Sequence, residues 1–549
     1  MLNNRLMQKC KSEKIIHRAQ ASGKKNVRTA DHLLVLQHLI TKYIKLKKQK
    51  LFVCFYDLKK AFDFVPRIKM FDKLLKDYKI GGNFLKILKN MYTENQMYVK
   101  LDDGLTQPFI TTTGLKQGCI FSPLLFNLYV NHLPAVYDSE CDPVYIGTSP
   151  VHCLMWADDC VVMSTTQAGL QRSMDKTTNH FASLGLSVNV KKTKVLIFNT
   201  SGFGPAKFAN LNFYINNKVV EKCDSYTYLG FVFKPSGSAT AGIRELLTKA
   251  NRAYYSISNI LYQNKKMKVD NALGLFDMTV TPVAMYGVEY WGMLSLPFAS
   301  FQSKESLLKA WENFTPETVN QKVCRLLLSC HKKSSRLAML GELGRNPFLM
   351  KALAQTIKYK WSIFNKSESD SLLSEAVLEM NQSGGDNWLT RVNQLENLLN
   401  IKINPSIKLA DSVGKYVKQR LKSCFEIFWK SEVSCIKADG DGIDHNKLRF
   451  YSTLKSSFSR EPYIDSVLSR NQRAWISRIR SSSSRLEIEL GRHKNIPITS
   501  MVCSYCSTGE IGDERHFFMS CPIFSIKRAC FFAKINSISP QFHPLAEEH

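Results

Sequence analysis

Two adjacent carboxylates, Asp158 and Asp159, lie between two short apolar segments of the chain. These segments, residues 152–157 and 160–163, are rich in sulfur-containing and β-branched side chains, as buried strands are. The pattern predicts a hairpin with both carboxylates at its tip, where Asp is common. Two like charges against an apolar hairpin raise each other's pKa unless a divalent cation neutralises them. A solvated Asp-Asp turn is the alternative, and this segment alone favours neither.

A third carboxylate, Asp57, directly follows Leu51–Tyr56, a nearly continuous apolar run of strand length. Such a run predicts a strand covered on both faces. A lone Asp in this place is usually a turn or cap residue, but a buried strand would also deliver it to an edge that Asp158 can reach. Asp57 and Asp158 are the minimum protein set for two Mg²⁺ ions, which lie ~3.5–4 Å apart in such sites. Mg²⁺ prefers carboxylates and substrate phosphates, which fits a site without histidine.

Two further segments have residue types suited to a phosphate-bearing substrate. Residues 114–119 form a glycine-containing loop before a helix that begins at Ser122-Pro123. The glycines would let backbone approach a substrate, with Gln117 as a polar contact, or the segment is an ordinary helix entry. The lysines of residues 191–194 either solvate a strand end or neutralise a departing pyrophosphate.

The composition favours a polyanionic partner. The 549 residues carry a formal net charge of +29, spread through foldable segments, which indicates a nucleic-acid-binding protein rather than a single membrane-surface helix. No secretory signal and no apolar run of about 18 residues occurs, so we expect no membrane span. Most of the fifteen cysteines lie in apolar runs, which predicts a reducing intracellular compartment, nuclear and/or cytoplasmic.

Four potential zinc ligands lie near the C-terminus with the spacing Cys503-x₂-Cys506-x₉-His516-x₄-Cys521. This spacing suits a closed tetrahedral site, which would support folding and nucleic-acid binding rather than chemistry. Chance clustering in a cysteine-containing chain is the alternative. The preceding segment 470–480 has helical spacing with arginines on one side, which predicts either a phosphate-binding helix or a solvated face. Its position just before the zinc ligands favours phosphate binding.

The order of the motifs carries a resemblance to a known family. They are Phe55-Tyr56-Asp57-Leu58-Lys59-Lys60-Ala61-Phe62-Asp63, Gly114-Leu115-Lys116-Gln117-Gly118-Cys119 with Ser122-Pro123-Leu124, Ala157-Asp158-Asp159, Gly185-Leu186-Ser187-Val188-Asn189 with Lys191-Lys192-Thr193-Lys194, and Tyr228-Leu229-Gly230. This order resembles the reverse transcriptase of non-LTR (LINE-type, jockey-like) retrotransposons over roughly residues 1–240. The resemblance continues more loosely to the C-terminus, where the four zinc ligands resemble the family's zinc knuckle.

The resemblance implies an α+β fold, with a right-hand polymerase palm and fingers, a helical thumb, and a C-terminal helical region that ends in the zinc knuckle. The implied segments are partial fingers at 1–50, palm with fingers insertions at 51–240, a thumb-like region at 241–365, a basic connector at 386–495 and the knuckle at 496–530.

The resemblance also implies roles for single residues. Asp57 and Asp158 match the two metal-binding aspartates, and Asp159 the third carboxylate. Of the remaining positions, Phe62 matches the residue that excludes a 2′-hydroxyl, Gln117 and Gly118 line the nucleotide pocket, Lys192 is phosphate-proximal, and Tyr228-Leu229-Gly230 resembles the primer grip. The implied cofactors are two Mg²⁺ and one structural Zn²⁺; the implied partners are template RNA, primer DNA and dNTPs. The oligomeric state is left open.

The chain departs from the family pattern at three places. Trp156 replaces the usual Tyr or Phe, and its larger ring is expected to crowd the primer end. The family's Gln-x-Gly-Phe-Arg element is present only as residues 20–24, where Lys24 or Lys25 could supply the charge. Upstream fingers sequence and an endonuclease domain do not precede it, so we expect an N-terminally shortened chain with one incomplete triphosphate wall. Two hypotheses follow: an RNA-directed DNA polymerase, or an impaired relic that only binds RNA or DNA.

Overall fold

The computed structural model describes the chain except residues 25, 94, 265–266, 366–370, 405–406, 408, 436–445, 467, 495 and 540–549, and the side chains of residues 470 and 493. The chain divides into two compact units. Unit 1 contains Met1–Leu246, Gly287–Phe298 and Gln355–Asn397, and unit 2 contains Leu247–Tyr286, Ala299–Ala354 and Leu398–His549. Two parts of the sequence predictions lie outside the described residues: Lys25, and residues 436–445 of the predicted basic connector.

Short strands occur only in the first half of the described chain. In order, they are β1 (Leu51–Tyr56), β2 (Asn95–Met97), β3 (Lys100–Leu101), β4 (Gly104–Leu105), β5 (Phe109–Thr111), β6 (Val144–Ile146), β7 (Ser149–Val151), β8 (Cys153–Trp156), β9 (Asp159–Ser164), β10 (Lys194–Phe198), β11 (Tyr214–Ile215), β12 (Lys218–Val219), β13 (Glu221–Lys222), β14 (Tyr226–Tyr228) and β15 (Phe231–Phe233).

Helices dominate the remainder of the described residues. In order, they are α1 (Leu2–Ser12), α2 (Thr29–Thr41), α3 (Arg67–Lys76), α4 (Gly82–Tyr92), α5 (Ser122–Val130), α6 (Gln167–Ser183), α7 (Thr240–Gln263), α8 (Val269–Thr279), α9 (Thr281–Ala284), α10 (Val288–Trp291), α11 (Lys304–Lys309), α12 (Glu317–Leu328), α13 (Arg336–Leu343), α14 (Phe348–Phe364), α15 (Leu372–Ser383), α16 (Trp388–Leu398), α17 (Ala410–Ser434), α18 (Arg449–Leu454), α19 (Pro462–Asp465), α20 (Arg470–Arg480), α21 (Glu487–His493) and α22 (Ser525–Ile538). No helix among them is both long and apolar enough to cross a bilayer.

Unit 1 is built on a five-stranded sheet with the order β13-β10-β1-β9-β8. Strand β1 runs antiparallel to both β9 and β10, and all six of its residues are buried. This central position explains the continuous apolar run, because a strand covered on both faces needs no polar alternation. Helix α6 is joined to the sheet by Tyr56, whose hydroxyl donates to the Met174 carbonyl at 3.0 Å.

Segments from the second half of the chain complete unit 1. The Tyr359 hydroxyl donates to Asp31 Oδ1 at 2.8 Å, and His38 Nε2 lies 2.8 Å from Glu379 Oε2. Asp31 and His38 both lie on α2, which is almost wholly buried. The predicted boundaries do not follow these units, because residues 241–365 contribute to both.

Unit 2 is helical. Its core contains the fully buried indoles of Trp311 and Trp429, and Trp429 Nε1 donates to the Leu337 carbonyl at 2.9 Å. Asp277 accepts two hydrogen bonds from the Arg345 guanidinium, at 3.0 and 2.9 Å, which joins α8 to the end of α13. Such bidentate pairs fix orientation as well as distance.

Candidate active site and candidate metal centre

The β8–β9 hairpin presents the paired carboxylates. Trp156 pairs with Asp159, so Ala157 and Asp158 form the two-residue turn between the strands. Ala157 has φ +56°, a conformation that costs a non-glycine residue about 1 kcal/mol. Two-residue hairpin turns that need a positive φ usually carry glycine or asparagine there. The hairpin tip is therefore held in a conformation that its own sequence disfavours.

Strand register brings Asp57 to the same edge. Tyr56, the last residue of β1, pairs with Cys160, so Asp57 follows the strand at the end of the sheet where Asp159 begins β9. The Asp57 charge acts on both Asp158 and Asp159. The structure thus brings Asp57 close to a pair of carboxylates that lies about a hundred residues further along the chain.

The three carboxylates repel one another in a partly dehydrated cleft. Burial raises the pKa of Asp158, and the nearby Asp57 carboxylate adds to the rise. Partial burial also raises the pKa of Asp159 to about 6, with contributions from Asp158 and Asp57, although Asp159 is still exposed to solvent. A cation bound among them would remove this conflict.

The donor set suits Mg²⁺. The site offers only carboxylate oxygens, and within the described residues no Lys, Arg or His forms an ion pair with Asp57, Asp158 or Asp159. Hard divalent cations select such oxygen ligands and keep positions free for substrate phosphates. These residues therefore fit the predicted metal site.

The lysine turn is fixed to the backbone of Asp57. The Asp57 N–H donates to Thr193 Oγ1 at 3.2 Å, and the Asp57 carbonyl accepts from the Asn189 N–H at 2.8 Å. Lys192 precedes this buried threonine and has an exposed side chain. The turn that contains Lys192 is therefore fixed to the residue that carries the first carboxylate.

The predicted nucleotide-pocket residues lie on one loop system. Phe62 is half-buried and stacks on Phe126, with ring centroids 4.6 Å apart. Gln117 is exposed, and its Nε2 donates to Asp63 Oδ1 at 3.0 Å. Gly118 has φ +81° and faces open space, so a ligand could approach its backbone.

Sequence reasoning missed the residue that anchors this loop. Arg67 is buried, and its guanidinium donates to the carbonyls of Gly114, Tyr92 and Thr111. A buried arginine that caps three carbonyls is not distinguishable in sequence from the solvated arginines of a basic helix start. Gly114 lies close to the backbone of Asp63: a Cβ atom added to Gly114 would be 2.6 Å from the Asp63 carbonyl oxygen.

The segment predicted as a primer grip forms the hairpin β14–β15, and its two turn residues Leu229 and Gly230 both have positive φ. Tyr226 stacks on Phe55 at 4.2 Å, and burial followed by the charges of Asp159 and Asp57 raises its pKa. Trp156 is met edge-on by the buried His32, whose ring centroid lies 5.8 Å away. The larger indole is thus accommodated against α2.

A second candidate metal centre lies in unit 2. One ligand atom each from Cys503, Cys506, His516 and Cys521 lies within 4.8 Å of the others. His516 Nε2 lies 3.3 Å from Cys506 Sγ, while its Nδ1 lies 2.6 Å from Glu510 Oε2. A carboxylate that orients a ligating imidazole is typical of zinc sites. The thiol and imidazole donors therefore fit Zn²⁺.

Helix α20 has the predicted bounds, and two of its arginines have partners within unit 2. Arg480 donates to Glu342 Oε2 at 2.9 Å and lies 2.8 Å from Glu461, while Arg478 donates to the Ser329 carbonyl at 3.0 Å. These two guanidiniums are used within unit 2. Neither expected use, phosphate binding or a solvated face, describes the contacts of Arg478 and Arg480, and phosphate binding by the rest of α20 stays a prediction.

Comparisons with known proteins agree with this geometry. Residues 1–233 match the family model of the reverse transcriptase (RNA-dependent DNA polymerase). The chain is 28% identical over 187 residues to the retrovirus-related Pol polyprotein from type-2 retrotransposable element R2DM of Drosophila melanogaster, covering 33% of this chain and 17% of that protein. It is 20% identical over 267 residues to the probable RNA-directed DNA polymerase from transposon BS of the same organism, covering 47% and 28%.

Among solved structures, apo telomerase from Candida Tropicalis is similar at a TM-score of 0.33 and 14% identity, covering 68% of this chain and 60% of that one. The chain spans less than a third of the length of the two retrotransposon relatives described above. The family match and the carboxylate hairpin coincide in the same segment. Residues 1–233 are therefore similar to a reverse transcriptase (RNA-dependent DNA polymerase) domain, and the relatives described above are proteins of a retrotransposable element and a transposon.

Proposed function

We propose that this chain is an RNA-directed DNA polymerase that extends a primer 3′ end with dNTPs on a template RNA. The observation that carries the proposal is the register of β1 on β9, which brings Asp57, the residue after β1, to the end of the sheet that bears Asp158 and Asp159. These three carboxylates form no ion pair with a cationic side chain among the described residues, so they do not stabilise the fold in that way.

In this proposal Asp57, Asp158 and Asp159 hold two Mg²⁺ ions. Bound Mg²⁺ would lower the pKa of the primer 3′-hydroxyl and stabilise the triphosphate and its leaving pyrophosphate. Phe62 lies under the incoming sugar, Gln117 and Gly118 contact the nucleotide, and Lys192 meets phosphate charge. Positioning by the rigid sheet edge supplies most of the rate.

Nucleic-acid binding draws on the whole chain. The net charge of +29 supports a polyanionic partner, because released counterions drive such binding. We assign the four-ligand cluster at residues 503–521 to a structural Zn²⁺ that orders a zinc knuckle for RNA or DNA contact. None of the fifteen cysteines forms a disulfide, which supports a reducing intracellular location, nuclear and/or cytoplasmic.

Incorporation of labelled dNTPs on a primed RNA template tests the proposal. We expect Mg²⁺-dependent extension by the wild type and a loss of at least about 100-fold in Asp158→Ala, because the metal site loses a ligand. Asp103→Ala is the matched control, since Asp103 lies in another hairpin and is exposed. Salt-sensitive RNA binding without incorporation at any Mg²⁺ concentration would instead assign the chain to the binding-only class.

A further inference from the structure

The catalytic hairpin has an outer edge that an N-terminal segment covers. Strand β8 is the last strand of the sheet, and Gln20 forms a parallel bridge with Met155 on that edge. The Met155 N–H donates to the Ala19 carbonyl at 2.8 Å, and the Ala21 N–H donates to the Met155 carbonyl at 3.0 Å. Residues 19–21 therefore act as a sixth strand beside the hairpin.

The side chain of Gln20 continues this pairing into the turn. Its Oε1 accepts from the Ala157 N–H at 3.0 Å, and its Nε2 donates to the Ala157 carbonyl at 3.4 Å. The same Oε1 also accepts from the Ser22 N–H at 3.2 Å. Gln20 is completely buried, so water does not compete for these bonds. One amide thus binds both backbone groups of the residue that carries the unfavourable φ of +56°.

The segment itself is anchored to a palm helix. Asn127 of α5 donates to the Ser22 carbonyl at 2.7 Å and accepts from the Ser22 hydroxyl at 3.0 Å. One turn later, Asn131 accepts from the His17 N–H and donates to the Ile15 carbonyl, each at 2.8 Å. These bonds fix the backbone on both sides of Gln20, so its amide has a defined position relative to the sheet.

We infer that Gln20 is a positioning residue for the catalytic hairpin: it holds Ala157 in the left-handed conformation that aims Asp158 at the metal site. This inference rests on the proposed function and deepens it. It gives residues 20–24 a role different from the triphosphate wall that the family pattern implies. Without the amide, the turn would relax toward a conformation that alanine prefers, and Asp158 would move away from its partners.

Primer extension and Mn²⁺ binding by Gln20→Met test the inference. Methionine keeps the volume and removes both bonds to Ala157. We expect kcat to fall about 10- to 100-fold, the Mg²⁺ concentration for half-maximal rate to rise, and the KM for primed template to stay unchanged. Gln37→Met is the matched control: Gln37 is also buried and donates to a backbone carbonyl, that of Gly237, at 2.9 Å.

Ala157→Gly supplies a suppressor. Glycine adopts a positive φ without help, so we expect Gln20→Met combined with Ala157→Gly to recover most of the lost kcat. A role in general stability would lower the melting temperature without this selective recovery. Gln20→Asn is the milder variant if Gln20→Met does not fold, because its amide is one methylene too short to reach Ala157. It should change kcat and the Mg²⁺ requirement in the same direction.

Mn²⁺ titration followed by electron paramagnetic resonance separates this inference from the polymerase proposal. We expect Asp158→Ala to lose Mn²⁺ binding at the carboxylate site, Gln20→Met to bind Mn²⁺ there more weakly, and Gln37→Met to bind it as the wild type does. These results are expected whether or not the wild type incorporates nucleotides. Equal Mn²⁺ affinity and equal kcat in the two methionine variants would overturn the inference. So would a double variant no better than Gln20→Met. An inactive wild type with this Mn²⁺ pattern would overturn only the polymerase proposal.

Discussion

Single residues at the hairpin tip carry an electrostatic conflict that the fold does not relieve. Burial and two neighbouring carboxylates raise the pKa of Asp159 to about 6, above the value of ~3.9 expected in the unfolded chain. The folded chain therefore binds a proton more readily than the unfolded chain. Its stability is greatest below the unfolded pKa and falls as the pH rises through about 6.

Replacing Asp159 by Asn should stabilise the metal-free protein at pH 7.5, because one repelling charge is removed. We expect a melting temperature higher by about 2 °C at pH 7.5 and no difference near pH 4, where Asp159 is protonated in the wild type. Saturating Mg²⁺ should reverse the order at pH 7.5. Thermal melts of Asp159→Asn and of the control Asp103→Asn measure this, and an equal difference at both pH values would contradict it.

Elements between the strands depend on close backbone contacts. The loop that begins at Gly114 lies against Asp63 and is held by the buried guanidinium of Arg67. Gly114 and Gly118 both have a positive φ, +84° and +81°, but only Gly114 has backbone atoms where a Cβ would be. A substitution at Gly118 therefore introduces only backbone strain, whereas a substitution at Gly114 introduces the same strain and a steric clash.

Gly114→Ala should destabilise the protein more than Gly118→Ala. Both variants carry the strain of about 1 kcal/mol that alanine has at positive φ, and Gly114→Ala adds a backbone clash of about 1–3 kcal/mol. Urea unfolding of the two variants gives this difference directly. Equal free energies of unfolding for the two variants would show that the Asp63 backbone moves away from the added Cβ atom without loss of stability.

Helix α20 should contribute to stability and not to RNA affinity through Arg480. Its guanidinium is the partner of Glu342, a fully buried carboxylate, so Arg480→Gln would leave that charge unpaired and cost about 3 kcal/mol. The exposed Arg485 provides the control Arg485→Gln. Reduced RNA affinity in Arg480→Gln at unchanged stability would restore the phosphate-binding interpretation.

At the scale of the whole molecule, each unit has its own candidate metal centre with its own chemistry. The carboxylates of unit 1 suit a hard cation, and the thiols and imidazole of unit 2 suit Zn²⁺. The two sites should therefore respond to different chelators. Zinc binding, like Mn²⁺ binding at the carboxylates, can be measured without any polymerase assay.

The purified chain should hold one Zn²⁺ by native mass spectrometry. Cys521→Ser should lose it, because Cys521 contributes one of the four clustered ligand atoms. Cys530→Ser should keep it, since Cys530 is exposed and outside that cluster. Zinc retained in Cys521→Ser would disprove the assigned ligand set.

The sequence predicted what local patterns and strand ends determine. The buried run of β1, the carboxylate hairpin and the bounds of α20 follow from periodicity and capping residues. The sequence did not predict contacts between distant segments: the amide of Gln20 on Ala157, the carbonyls around Arg67, or the partners of Arg480. Each of these is a polar side chain whose partner is a backbone group or a charge far along the chain, and residue type alone does not identify that partner.

Unit 1 is discontinuous, and this affects how the chain folds during synthesis. Its first 246 residues leave the ribosome before α15 and α16, which complete the same unit. Asp31 lacks its partner until Tyr359 has emerged, and His38 lacks its partner until Glu379 has emerged. A nascent polypeptide released before these segments emerge would thus expose the part of α2 that they cover to chaperones and proteases.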